Sequence, residues 1–419
     1  MKIAIVGTGI SGLVAAHHLQ RQHDVTVYEA AARIGGHTHT VAVDDPAGEQ
    51  AIDTGFIVFN DRNYPNFEAL LGELGVAAKP SHMSFSVSDG RGGFEYSGTP
   101  WGLFARPAHL LSPTFIRMLR DWRRFNQLAP GLIGMNGTAP SLGAWLEREG
   151  FSRHFIDRLI VPQASAVWSS DPAHMWRFPA RFLVEFFDNH GMLGLRGRPR
   201  WQTVSGGSKR YVEALTAPFA DRIRLSTPVR AIERLGDGVD VTPAGGVPER
   251  FDEVVIAAHA DQALAMLADP TPAEREILGA FPYQANEAVL HTDRGLLPRR
   301  RRAWASWNYH LEPDDTAPAR PATVTYHMNR LQSLDADADY CVTLNRTGAI
   351  DPRKIIRTIA YTHPVYTVEG HAAQRRYDEV GGRNRTHYCG AYWGWGFHED
   401  GVASAHRAVA ALGREAVPA

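Results

Sequence analysis

Much of what common chemistries require is scarce in this 419-residue chain. It has two cysteines, Cys341 and Cys389, too few for a disulfide framework or a cysteine-ligated zinc site. The formal net charge is -1 at pH 7, and without a basic field the chain is not expected to bind nucleic acid. Lysine is nearly missing: Lys2, Lys79, Lys209 and Lys354 are the only four among 44 basic residues. No uncharged apolar run reaches the ~18 residues of a membrane helix. There is no GxSxG elbow, no HExxH and no P-loop. Nineteen histidines are present, but His37 and His39, or His17 and His18, come without a carboxylate or third ligand in pattern, so no metal is expected. Repeats and low-complexity linkers are also lacking, and 419 residues predict two domains.

What is present concentrates at the start, "KIAIVGTGISGLVAAHHLQRQHDVTVYEAAARIGGHTHT". Ile3 to Val6 form a β-branched run suited to a buried parallel strand. Gly7, Gly9 and Gly12 give GxGxxG, and a helix follows over Leu13–Gln20. A second strand holds Val25, Val27 and Tyr28 and ends at Glu29. Gly7 permits a tight turn, Gly9 lets backbone approach a pyrophosphate, and Gly12 lets helix and strand pack closely. Ile10 and Ser11 open the helix, whose free N–H groups and positive end suit phosphates. Glu29, followed by Ala30, stands where an acid accepts hydrogen bonds from ribose hydroxyls. An acid there favours an unphosphorylated ribose, hence NAD or the ADP half of FAD. This apolar start after one lysine has the look of a signal peptide, but its glycine pattern predicts a nucleotide-binding unit and a cytoplasmic protein.

"ARIGGHTHT" and "AIDTGFIVF" follow directly. They resemble the second glycine motif of the flavin amine oxidase and phytoene desaturase superfamily, which implies FAD rather than NAD. On that resemblance Arg33, Gly35, Gly36 and His37 line the diphosphate, and Thr54, Gly55 and Phe56 flank the flavin. His37 stands where the family commonly has arginine. The segment from Trp201 to Leu267 resembles the part in which a residue at Val229 meets the adenine through its backbone. Toward the end, "THYCGAYWGWGFHEDGVASAHRAVAALG" resembles the return to the ribityl chain at Gly390 and a helix opening near Asp400. Asp400, Gly401 and Val402 would then face the flavin pyrimidine, with Trp393, Trp395 and Phe397 as cofactor or tunnel walls. Gly394 and Gly396 would let backbone pass close to the flavin. Cys389 reads as a small core residue.

The implied fold is α/β: a Rossmann-type FAD-binding domain (1–60, 200–265 and 380–419) interleaved with an α+β substrate domain (61–199 and 266–379). True amine oxidases of the superfamily carry a lysine on the strand beginning the second substrate segment. Here that stretch, "FPYQANEAVLHTD", has none. Nearly end to end the chain is similar to a bacterial branch described as NAD/FAD-binding proteins and associated with desaturation of methyl-branched acyl chains. The resemblance therefore implies a desaturase that takes a hydride and a proton from an activated acyl chain, with dioxygen as acceptor. An amine oxidase, a fatty-acid double-bond isomerase and a non-catalytic lipid-binding flavoprotein remain alternatives. His363 is the first candidate base, because imidazole titrates near working pH, and Tyr392 the second. The aromatic and arginine-rich stretches 99–125 and 294–310 suit an apolar tunnel mouth or peripheral contact with a membrane surface.

Overall fold

In the computed structural model the described residues are 1–135, 140–194, 197–311 and 321–415. The portions of the expected domains at 136–139, 195–196, 312–320 and 416–419 lie outside them.

The apolar run at the start is the centre of a five-stranded parallel sheet. Its order is Ile223–Arg224, Asp24–Tyr28, Lys2–Val6, Glu253–Ile256 and Thr386–Tyr388. Ile3 pairs with Glu253 on one side and Val25 on the other, and Val254 pairs with Thr386. Both faces are covered, so Ile3, Ile5, Val27, Val254 and Val255 are buried without alternation. The crossover from the first strand is the helix Ile10–Leu19, which packs against the C-terminal helix His398–Glu415. That second helix begins two residues before the expected Asp400.

A strand pair, Thr40–Val43 with Gln50–Asp53, leads out of this sheet. An antiparallel layer of Val229–Leu235, Gly238–Pro243 and Glu249–Phe251 rests on its other side. The remaining chain builds a seven-stranded sheet in the order Ile355–Pro364, Tyr283–His291, Cys341–Leu344, Val324–His327, Trp307–His310, Phe85–Ser88 and Glu95–Ser97. All neighbours run antiparallel except Trp307–His310 beside Phe85–Ser88. Helices of residues 113–189 cover it through Phe115, Phe125, Trp145, Phe155 and Phe187. Ser112 and Ser141 cap two of these helices by accepting the N–H groups of Phe115 and Ala144. The chain is thus an α/β protein with a Rossmann-type nucleotide sheet and a separate substrate sheet.

Candidate active site

One cavity of about 1890 Å³ runs from the glycine turn to the inner face of the seven-stranded sheet. That is about twice the upper end of ordinary ligand pockets (~1,000 Å³), enough for a dinucleotide and a second molecule. Gly7, Gly9, Ile10, Ser11, Glu29, Ala30, Gly35, Gly36, His37, Thr54, Gly55, Phe56, Val229, Gly390, Tyr392 and His363 all line it.

The nucleotide end has the shape the glycines predict. Gly7 has φ +105°, and a Cβ there would meet Ala257 O at 2.6 Å. A Cβ on Gly12 would overlap Gly7 O, so Gly12 serves the helix–strand contact and does not face the cavity. Above Gly9 nothing lies within 4 Å of such a Cβ, which leaves its backbone open to a phosphate. A Cβ on Gly36 would come within 3.0 Å of Gly9 Cα, so the two glycine loops pack against each other. Thr8 donates its N–H (2.9 Å) and its hydroxyl to Glu29 Oε2, and Ala31 N–H donates to Oε1 at 2.8 Å. The carboxylate is thereby aimed, with acceptor capacity left for ribose hydroxyls.

Five expected residues stand outside the cavity lining. Arg33 donates to Gly36 O at 2.6 Å and Thr38 O at 3.1 Å. It braces the second glycine loop from behind, because two carbonyls of its own loop engage the guanidinium. Asp400 accepts from Phe397 N–H at 2.9 Å at the start of the C-terminal helix. A Cβ on Gly401 would meet Ile10 and Ser11, and the Val402 side chain is fully buried. With Gly12 these residues shape the floor under the site.

The C-terminal loop matches expectation only in part. A Cβ on Gly394 would overlap Asp400, so that glycine makes room for protein, whereas Gly396, whose Cβ would overlap Tyr366, also lines the cavity. Trp393 packs against Phe281 and Tyr377, and Trp395 against Phe182 and Phe186, leaving Phe397 as the one of the three on the cavity wall. Cys389 is fully buried, as expected for a core residue.

At the cavity's middle lies a group of imidazoles. His37 stacks on Tyr361 (centroids 4.9 Å), with His363 at 5.2 Å and His259 at 6.0 Å. Burial lowers the pKa of all three, His363 to about 4; neighbouring imidazoles add to this at His37 and His363, while Asp261 partly offsets it at His259. They are therefore neutral near pH 7. His363 Nδ1 lies 2.8 Å from Asn286 Nδ2. His37 Nε2, His259 Nδ1, Tyr366 OH and Tyr392 OH are buried without a hydrogen-bond partner among the described residues. Burial raises both phenols well above 10, so they stay protonated. Together with the open glycine turn, these unpaired groups fit a polar-ringed dinucleotide such as FAD. No cluster of three metal-ligating side chains occurs among the described residues.

His259, Tyr361 and Tyr366 were not singled out from sequence. For His259 a signal existed, since it stands just past the carboxyl end of a parallel strand, where ligands of such sheets bind. The two tyrosines carried no local pattern.

A family model described as flavin containing amine oxidoreductase matches residues 10–320. A Mycobacterium tuberculosis protein provisionally named a flavin-containing monoamine oxidase is 27% identical over 290 residues, covering 66% of this chain and 61% of its own. The match thus spans about three fifths of that relative. The flavin-dependent L-tryptophan oxidase of Lentzea aerocolonigenes is 30% identical over 267 residues, 58% of this chain and 54% of its own. Among solved structures, cyclohexylamine oxidase from Brevibacterium oxydans superposes with a TM-score of 0.71 at 17% identity, covering 99% of both chains. The CLA-producing fatty acid isomerase from P. acnes gives 0.67 at 17%, over 99% and 98%. At those identities the structures speak for the fold.

Proposed function

Because the chain belongs to the family of flavin containing amine oxidoreductases and takes FAD as its cofactor, we propose that its substrate is an uncharged apolar molecule, an acyl chain of a membrane lipid. From that chain a hydride and a proton are removed beside an existing double bond. The observation that carries this reading is the chemistry of the far chamber. Glu29, at the nucleotide end, is the one carboxylate lining the cavity among the described residues. The substrate end is walled by Tyr96, Leu119, Trp122, Trp168, Phe186 and Trp307. An ammonium ion would meet no opposite charge there, and the facing imidazoles are neutral.

FAD, when bound, supplies hydride acceptance and reduction of dioxygen. The substrate loses H⁻ and H⁺ and gains one C=C bond; the two electrons and two protons end on dioxygen as hydrogen peroxide. The chain's own part is to bind, orient and dry. Phe56, Phe186 and Phe397 supply apolar aromatic wall to the cavity. Tyr392, a candidate base from sequence, keeps its proton under burial and stands as a donor.

Access from a membrane is part of the proposal. Residues 96–120 contain no acid, and Trp101 and Leu111 are 81% and 89% exposed. Ser97 Oγ donates to Arg302 O, so the run Arg299–Arg302 lies against this same segment. Pro100 and Leu103 of the segment line the cavity. Arg300 of that run is paired with Glu95, but exposed apolar side chains beside the other arginines complement an anionic bilayer. No helix among the described residues is long and apolar enough to cross a membrane.

The test is anaerobic titration of the purified yellow protein with unsaturated methyl-branched acyl lipids and with amines, followed by mass spectrometry. Bleaching by the lipid, and a product two hydrogens lighter once air is admitted, supports the reading. Bleaching by amines alone removes it. A rearranged product without oxygen consumption makes the protein an isomerase.

A further inference from the structure

His363 is the first candidate base from sequence, and the groups behind it bear on that role. The strand Tyr283–His291 turns Gln284 and Asn286 inward, where they join Asn345 in a chain of side-chain amides. Amide orientation is usually open to a flip, but here backbone groups fix it at both ends. Glu287 N–H donates to Asn345 Oδ1 at 2.9 Å, so Asn345 Nδ2 is the donor that meets Ala322 O at 2.9 Å and Asn286 Oδ1 at 2.8 Å. From the other side, Asp171 N–H donates to Gln284 Oε1 at 3.3 Å. Gln284 Nε2 then donates to Ser169 O at 2.9 Å and again to Asn286 Oδ1 at 3.1 Å. Asn286 Oδ1 therefore accepts twice, and its Nδ2 is left to donate to His363 Nδ1 at 2.8 Å. A ring nitrogen that accepts carries no proton.

We infer that Asn286 fixes His363 as a neutral hydrogen-bond donor, with its proton on Nε2 at the cavity wall, where it binds an acceptor oxygen of the substrate and cannot act as general base. Burial, with the repulsion of His259 behind it, keeps the ring from taking a second proton near pH 7. The neighbouring rings His37 and Tyr361 supply no carboxylate that would reverse the tautomer. Asn286 is a positioning residue that acts through the imidazole, and the same arrangement is unfavourable to a cation. The ligand half of this inference rests on the acyl-lipid reading; the tautomer does not.

The experiment is ¹⁵N–¹H spectroscopy of the holoenzyme, with His363 assigned by the signal lost in His363→Gln. The expected result is a protonated Nε2 and a bare Nδ1. In Asn286→Asp the new carboxylate can only accept, so the proton should move to Nδ1. A protonated Nδ1 in the wild type, or no difference between wild type and Asn286→Asp, overturns the inference. For the ligand half, methyl oleate should shift the Nε2–H proton and the matching hydrocarbon should not. His363→Ala should weaken methyl oleate about 5–10-fold relative to the hydrocarbon, and an equal loss for both overturns the binding role. Failure of acyl lipids to bleach the flavin, with the tautomer as stated, would count against the substrate reading alone.

Discussion

Phe56 and His398 lie face to face, with ring centroids 3.5 Å apart and planes 12° from parallel, joining the second glycine segment to the C-terminal helix. His398 Nε2 lies 2.9 Å from Tyr211 OH and 3.1 Å from Thr38 Oγ1, and burial lowers its pKa to about 3, so the ring is neutral. His398→Ala leaves a cavity beside Phe56 and removes a partner of Tyr211, a loss of about 2–4 kcal/mol. His398→Phe keeps the stack, and Tyr211 keeps its bond to Thr38, so its cost should be about 1 kcal/mol. Urea denaturation of the two variants checks the order, and equal losses would show the stack to be idle.

Acid should destabilise the protein. His37, His39, His190, His259, His363 and His398 all have pKa values lowered by burial, several to about 4. A histidine depressed in the fold binds protons more readily when unfolded, so stability present above pH 6.5 is lost as pH falls toward 4. Asp53 and Asp400, raised to about 6 by burial, act in the opposite sense over much of the same window. His18, His291 and His310 are lowered by burial as well, so the depressed histidines outweigh these two acids and leave a net loss on acidification. His363→Gln should remove one share, reducing the loss between pH 7.5 and pH 5 by about 2 kcal/mol. Urea midpoints at both pH values decide this, and parallel curves for variant and wild type would refute it.

Arg33 holds two carbonyls of one loop with a planar fork, which a lysine cannot reproduce. Arg33→Lys should leave the melting temperature of the apoprotein nearly unchanged. Its FAD dissociation constant should rise about tenfold, because the second glycine loop is no longer pre-set. Fluorescence titration of released flavin measures it; unaltered retention would mean that the loop holds its shape without the brace.

Membrane contact has a direct assay. The wild type should co-sediment with phosphatidylglycerol vesicles, less so at high salt, and hardly with phosphatidylcholine vesicles. Trp101→Ser with Leu111→Ser removes two exposed apolar groups and should lower vesicle affinity by at least about tenfold. Oxidation of a detergent-dispersed substrate should be unaffected. Binding that ignores lipid charge, or survives the double substitution, ends the proposal.

The N-terminal unit was legible because each of its parts is local: a strand, three glycines, a helix and a closing acid, all within the first 29 residues. The loop 390–397 was not legible in the same way. Its glycines answer to Asp400 and Tyr366, and its two tryptophans turn to partners elsewhere in the chain. Only the closed fold sets those directions. The wiring of His363 was hidden for a similar reason, since Gln284, Asn286 and Asn345 are neutral amides without a motif. Their meaning comes from two backbone N–H groups on different segments, Asp171 and Glu287. The missing lysine on that strand, by contrast, could be read directly from sequence.

The glycine motif allows one substitution to give two opposite outcomes. At Gly12 a methyl group would be driven into Gly7 O, backbone that cannot move without opening the turn. Gly12→Ala should therefore cost about 3 kcal/mol or more and yield little folded protein. Gly9 has extended dihedrals (φ -65°, ψ 173°) that alanine adopts freely, and nothing within 4 Å for the methyl to strike. Gly9→Ala should fold with wild-type stability, yet hold FAD at least about tenfold more weakly, because the methyl stands where the pyrophosphate must approach backbone. Circular dichroism separates the two variants, and flavin absorbance per folded chain measures the second. A yellow, fully loaded Gly9→Ala protein would show that the cofactor does not lie over this turn.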